Sequence, residues 1–155
     1  MEDTLNRIRS AREAIWFVEP GEVARLVQIK ATGNQAASTV LYATTKLATL
    51  ITFLNHMRGL ARGGGVDLET MVAVTVPYLD FHAGVFGNFY KLADTAQVVR
   101  WAGQALPEAQ SLGEYAALLE ELAIYLNRID YWIDFKIPWA AFGRTFEYEL
   151  SAAEG

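Results

Sequence analysis

Between Lys30 and Arg58 runs a stretch whose only charge is Lys46. Its centre, residues 35–57, reads QAASTVLYATTKLATLITFLNHM. Val40, Ala43, Leu47, Leu50, Leu54, Met57 and Ala61 recur in steps of three and four, which is the spacing of one helical seam. Thr45, Thr49, Thr52 and His56 form a second stripe on another side of the same helix. A helix of this length normally shows water a charged face, so this one is expected to be enclosed on both stripes, by other parts of the chain, by a partner or by lipid. It is long enough to cross a bilayer, but Gln35, Ser38, the threonines, Asn55, His56 and a central lysine oppose insertion. The lysine alone costs about 2.5–3.5 kcal/mol at a membrane centre.

The rest of the chain follows from the breaks around that helix. A first helix is expected over 3–18, capped by Asp3 or Thr4, with Leu5, Ile8, Ala11, Ile15 and Val18 inward and its arginines in solvent. Pro20-Gly21 opens a short second helix reaching about Thr32, and Gly33-Asn34 ends it. The long helix then spans 35–61. Gly63-Gly64-Gly65 follows a helix and lacks the lysine of a phosphate loop, so it reads as a turn. Asp67 caps a helix predicted over 67–105, kinked at Pro77 and loosened at Gly84 and Gly87. Its residues 70–90 again hold one charge, Asp80. Ser111 and Glu114 have capping-box spacing at the head of a helix over 112–136. Leu118, Leu122, Tyr125, Ile129 and Trp132 line one face of that helix. A last helix is expected from Pro138. The expected fold is one all-α domain over 1–155, a mainly antiparallel bundle of five or six helices with 35–61 and 67–105 as its central hairpin.

The chain has 155 residues, no cysteine and a formal charge of −5. Disulfides, thiolate metal sites and a cysteine nucleophile are thereby excluded. Acid is concentrated after residue 107, which argues against nucleic acid as a partner there. Charged residues make up 20% and hydrophobic ones 52%, an apolar surplus that calls for cover by a partner or an oligomer. The acidic start carries no signal-peptide core, so an intracellular, cytoplasmic setting is the expectation.

Few constellations could carry chemistry. A hairpin turning near Gly64 puts Lys46 and Asp80 at one depth. They are therefore expected to pair as ions, or to share a polar site with His82 and Thr45, since a lone buried charge is costly. A buried Lys46 could also serve as a Schiff-base amine. His56 and His82 would lie about 15 Å apart along the helices, too far for one haem iron. No Glu-x-x-His pair and no Gly-x-Ser-x-Gly elbow occurs, and Glu120 and Glu121 read as surface carboxylates. Neither a cofactor nor a metal site is expected. Trp132, Phe135, Trp139, Phe142 and Phe146 extend one three-four spacing across Pro138. That seam is either an interface or a platform for an apolar or aromatic small molecule, facing residues 78–90.

Residues 89–106, FYKLADTAQVVRWAGQAL, resemble the aromatic–Asp–Trp stretch of the peroxin family that shapes peroxisomal membranes, through Tyr90, Asp94, Trp101 and Gly103. The resemblance implies membrane-surface association and transfers no residue roles. The function expected from the residues themselves is a non-enzymatic structural or interaction protein, a small helical subunit of a homo-oligomer or larger assembly. A bundle binding an apolar small molecule and a membrane-surface helical protein are the alternatives.

Overall fold

A computed structural model describes the backbone over residues 1–28 and 34–136, and side chains over 1–26 and 39–135. The described chain is all-helical: α1 (Glu2–Ala14), α2 (Gly21–Gln28), α3 (Asn34–Gly63), α4 (Leu68–Asn88), α5 (Ala93–Ala105) and α6 (Leu112–Lys136), with one 3-10 turn at Leu106–Glu108. No strand occurs among the described residues. Trp139, Phe142, Phe146 and the expected last helix lie outside them.

The heptad seam of α3 forms as its spacing requires. Val40, Ala43, Leu47, Leu50, Leu54, Met57 and Ala61 are all buried. They pack chiefly on α6, whose Leu118, Leu122, Tyr125 and Ile129 are buried in turn. The two helices run antiparallel, with Arg58 of α3 at 3.5 Å from Glu120 of α6. At the turn Gly64 takes φ +71°, which a side chain would resist. Asp67 then accepts from the Thr70 amide at 2.8 Å and starts α4. The capping box also forms, with the Glu114 amide donating to Ser111 Oγ at 3.1 Å. Glu114 itself reaches back to the Gln110 amide rather than that of Ser111.

The arm expected over 67–105 is two helices. Pro77 sits inside α4 without ending it, and the break falls at Phe89–Leu92, where Lys91 has φ 57°. The chain reverses there and α5 folds back on α4, so that the closest helix pairs are α4 with α5 and α3 with α6. Small residues permit the first of these. A Cβ on Gly87 would come within 3.3 Å of the Ala96 methyl, and one on Gly103 within 3.3 Å of Asp80 Oδ1. Hydroxyls hold α4 to α6, since Thr75 Oγ1 donates to Met71 O and lies 2.6 Å from the fully buried Tyr115 hydroxyl.

Helix α1 ends at Ala14, one turn sooner than expected, and Val18 is exposed. Its last carbonyls are taken by α6 instead. Arg128 Nη1 donates to Arg12 O at 2.6 Å, and Trp132 Nε1 donates to Ile15 O at 2.6 Å. The arginines of α1 are not simply solvated. Arg9 and Arg12 donate to Glu121 at 2.9 and 2.6 Å, and Glu121 is buried.

Candidate functional site

The threonine stripe of α3 faces outward. Thr45, Thr49, Thr52 and His56 are exposed, so no described helix of the chain encloses this side. Thr45 Oγ1 donates to Leu41 O and Thr49 Oγ1 to Thr45 O, both at 2.8 Å. With these two hydroxyls bonded back to the helix, Thr45 and Thr49 are less polar toward water than their letters imply. Beside it, α4 exposes Val74 at 49% and Phe81 at 60%, while Tyr42 on α3 is 64% exposed. From Tyr42 to His56 and from Thr70 to Phe81, the exposed residues of α3 and α4 include one charge, Asp80. A shallow groove of about 590 Å³ runs between the helices, lined by Thr45, Thr49, Thr52, Phe53, His56 and Tyr78.

Rings stiffen the floor of this face. Phe53 of α3 stacks on Tyr78 of α4 with centroids 3.9 Å apart, and His82 follows at 4.5 Å. His82 is buried, its Nδ1 lies 2.9 Å from Tyr78 O, and its Nε2 has no hydrogen-bond partner. A carbonyl only accepts, so Nδ1 is assigned the proton and Nε2 the lone pair. Burial pulls the His82 pKa below its ordinary value. The Tyr78 carbonyl opposes that shift, and the nearby Lys46 charge adds to it.

Lys46 and Asp80 do not form an ion pair. The depth relation between α3 and α4 is close to the one the turn dictates, since Lys46 Nζ lies 6.0 Å from the Phe81 ring and Phe53 meets Tyr78. Rotation about α4 decides the rest. A step of one residue turns a side chain by about 100°, so Asp80 sits on the α5 side near Gly103 while Phe81 and His82 sit toward α3. Lys46 and His82 are therefore neighbours, and Thr45 spends its hydroxyl on Leu41.

Of the aromatic seam, Trp132 and Phe135 line a second groove of about 680 Å³ with Ile15, Trp16, Phe17 and Tyr131. It lies between the end of α1 and α6, and no residue of 78–90 lines it. Arg128 closes one wall, 4.1 Å from the Trp16 ring centroid. Asp130, two residues on, is half-buried, and burial followed by the Asp134 charge raises its pKa.

The most enclosed carboxylate was not legible as such. Glu22 is 1% exposed and accepts from the Asp94 amide at 2.6 Å, the Thr95 amide at 2.9 Å and the Thr95 hydroxyl. It supplies to α5 the cap that Leu92 cannot. Burial raises its pKa above 4.5, against the hydrogen bonds that lower it. Burial, with Glu22 beside it, also pushes the Tyr125 phenol up. Glu121 could have been found, because it falls one turn from both Leu118 and Tyr125 on the inward face of α6. Nothing local to Glu22 marks it.

The described residues form an all-α bundle of six helices with a neutral outward face. Among the described residues no group of three His, Cys, Asp or Glu is placed to hold a metal, and no helix is long and apolar enough to cross a membrane. The chain belongs to the family of the cucumopine synthase C-terminal helical bundle domain, whose model matches residues 1–135. That membership replaces the peroxin resemblance; the residues that carried it, 89–106, are the α4–α5 reversal, α5 and the residue that follows it. No curated protein and no solved structure matches the chain.

Proposed function

We propose that this chain is a non-enzymatic assembly module, a bundle that holds another protein surface against the outward face of α3 and α4. Its setting would be intracellular, beside the reaction centre of a synthase of the cucumopine kind. The observation that supports this is the neutral face itself, with Tyr42, Val74 and Phe81 exposed beside Thr45 and Thr49, whose hydroxyls are already bonded. Exposed large apolar side chains gathered on one face mark protein–protein contacts more often than scattered ones do.

The test is native mass spectrometry of the chain with and without the remaining part of a cucumopine synthase, alongside an assay for cucumopine. The reading expects a complex that Phe81→Arg abolishes, and no product from the bundle alone. Product formed by the bundle alone would overturn the non-enzymatic reading. A complex that Phe81→Arg leaves intact would overturn the placement.

A second reading, capture of an apolar or aromatic small molecule, is supported by the α1–α6 groove, whose volume falls in the roughly 300–1,000 Å³ range of ligand sites. Retention of a small molecule in native spectra, lost on Trp132→Ala, would favour it.

A further inference from the structure

We propose that the surface held on the α3/α4 face is the same face of a second copy of this chain, packed about a two-fold axis. This rests on the assembly reading above and names its partner.

Two physical arguments support a second copy. The first is charge. Each chain carries −5, so two copies repel wherever their charged surfaces approach. A two-fold interface also brings the same patch from each copy together, and a patch of one sign would then meet itself. The α3/α4 face escapes both costs. On α3 the exposed positions between Tyr42 and His56 are uncharged, and on α4 those between Thr70 and Phe81 carry Asp80 alone, at the α5 edge. Lys46, half-buried over Phe81 at the opposite edge of α4, balances it.

The second argument is area. From Thr70 to Asn88, a length of about 28 Å, Asp80 is the one charge on α4. Two adjacent helices span about 20 Å, giving roughly 600 Å² in projection and more over the relief of the side chains. A stable interface of standard size needs about 800 Å² from each partner. Tyr42, Val74 and Phe81 provide the large anchors, and Ala48, Thr49 and Ala73 are short enough to let facing helices approach.

The experiment is sedimentation and light scattering of the chain alone across a concentration series, for the parent, Phe81→Arg, Thr49→Arg and, on α1, Asn6→Arg. All three substituted positions are exposed, so circular dichroism spectra should agree and show that each variant folds. The parent is expected to be a dimer. Either face variant should raise the dissociation constant by about 100-fold or more, the size of a central hot-spot loss, and Asn6→Arg should leave it unchanged. A dimer that both face variants leave intact overturns the proposal. A chain that is monomeric alone yet forms the complex with the remaining part of a cucumopine synthase overturns the second copy and leaves the assembly reading standing. A chain that is monomeric alone and forms no such complex overturns both.

Discussion

Replacing Glu22 by alanine is expected to destabilise the bundle by about 3 kcal/mol. The side chain is 1% exposed and takes three donors, the Asp94 amide, the Thr95 amide and the Thr95 hydroxyl. Alanine leaves all three without an acceptor at the head of α5, where Leu92 provides no cap. Each stranded buried donor costs about 1–3 kcal/mol, so the three together amount to about 3–9 kcal/mol. The carboxylate is itself held at a desolvation cost, visible in its raised pKa, and losing that cost offsets part of the penalty. In a domain of this size 1 kcal/mol moves Tm by about 2–4 °C, so a fall of about 6–12 °C is expected. Thermal and urea unfolding at pH 7 would measure it, with amide exchange at Asp94 and Thr95 as the local readout. A loss under about 0.5 kcal/mol with unchanged exchange would refute the cap. The pH dependence gives an independent check. A folded-state pKa above 4.5 means that the folded chain keeps this proton longer than the unfolded one. The group's contribution is therefore full below pH 4.5 and is lost as pH rises through the folded pKa. Glu22→Gln should lack that slope.

Other outcomes can be stated briefly. His82 has a lowered pKa, so its contribution is full above pH 6.5 and is lost as pH falls below that value. His82→Phe should flatten this acid limb in melts taken between pH 5 and 7. Glu121→Ala should cost about 2 kcal/mol in urea unfolding, less than a fully buried pair because Arg9 is 47% exposed and can turn to water. The two tight glycines should differ. At Gly87 the neighbour is the Ala96 methyl on a fixed backbone, so Gly87→Ala should destabilise by about 1 kcal/mol, whereas at Gly103 it is the carboxylate end of exposed Asp80, which can swing away, so Gly103→Ala should be neutral or stabilising. Trp132→Phe should cost about 1 kcal/mol by removing the donor to Ile15 O, with a matching rise in exchange at the end of α1.

Much of the fold could be read from local pattern. A seam of three-four spacing depends on one helix alone, and every seam residue named on α3 is buried. Asp67 and Ser111 cap their helices as expected because a cap involves only a few neighbouring residues. The break at Phe89–Leu92 was missed for the opposite reason. Pro77 was the stronger local signal, but it is exposed on α4, while Gly87 against Ala96 and Glu22 at the head of α5 make the reversal favourable.

Lys46 and Asp80 show where pattern stops. The number of residues to the turn sets how deep each lies, and Lys46 does meet α4 beside Phe81. Which way α4 is rotated depends on everything packed around it, and that rotation turns Asp80 to the α5 side. The neutral stretch around Lys46 thus determined by itself that a long, uncharged helix would bury one seam and have little charge on any other side. Only the tertiary structure decided that the second side faces out, because burial depends on which helices arrive, and those that pack on α3 cover the seam and leave the threonines uncovered.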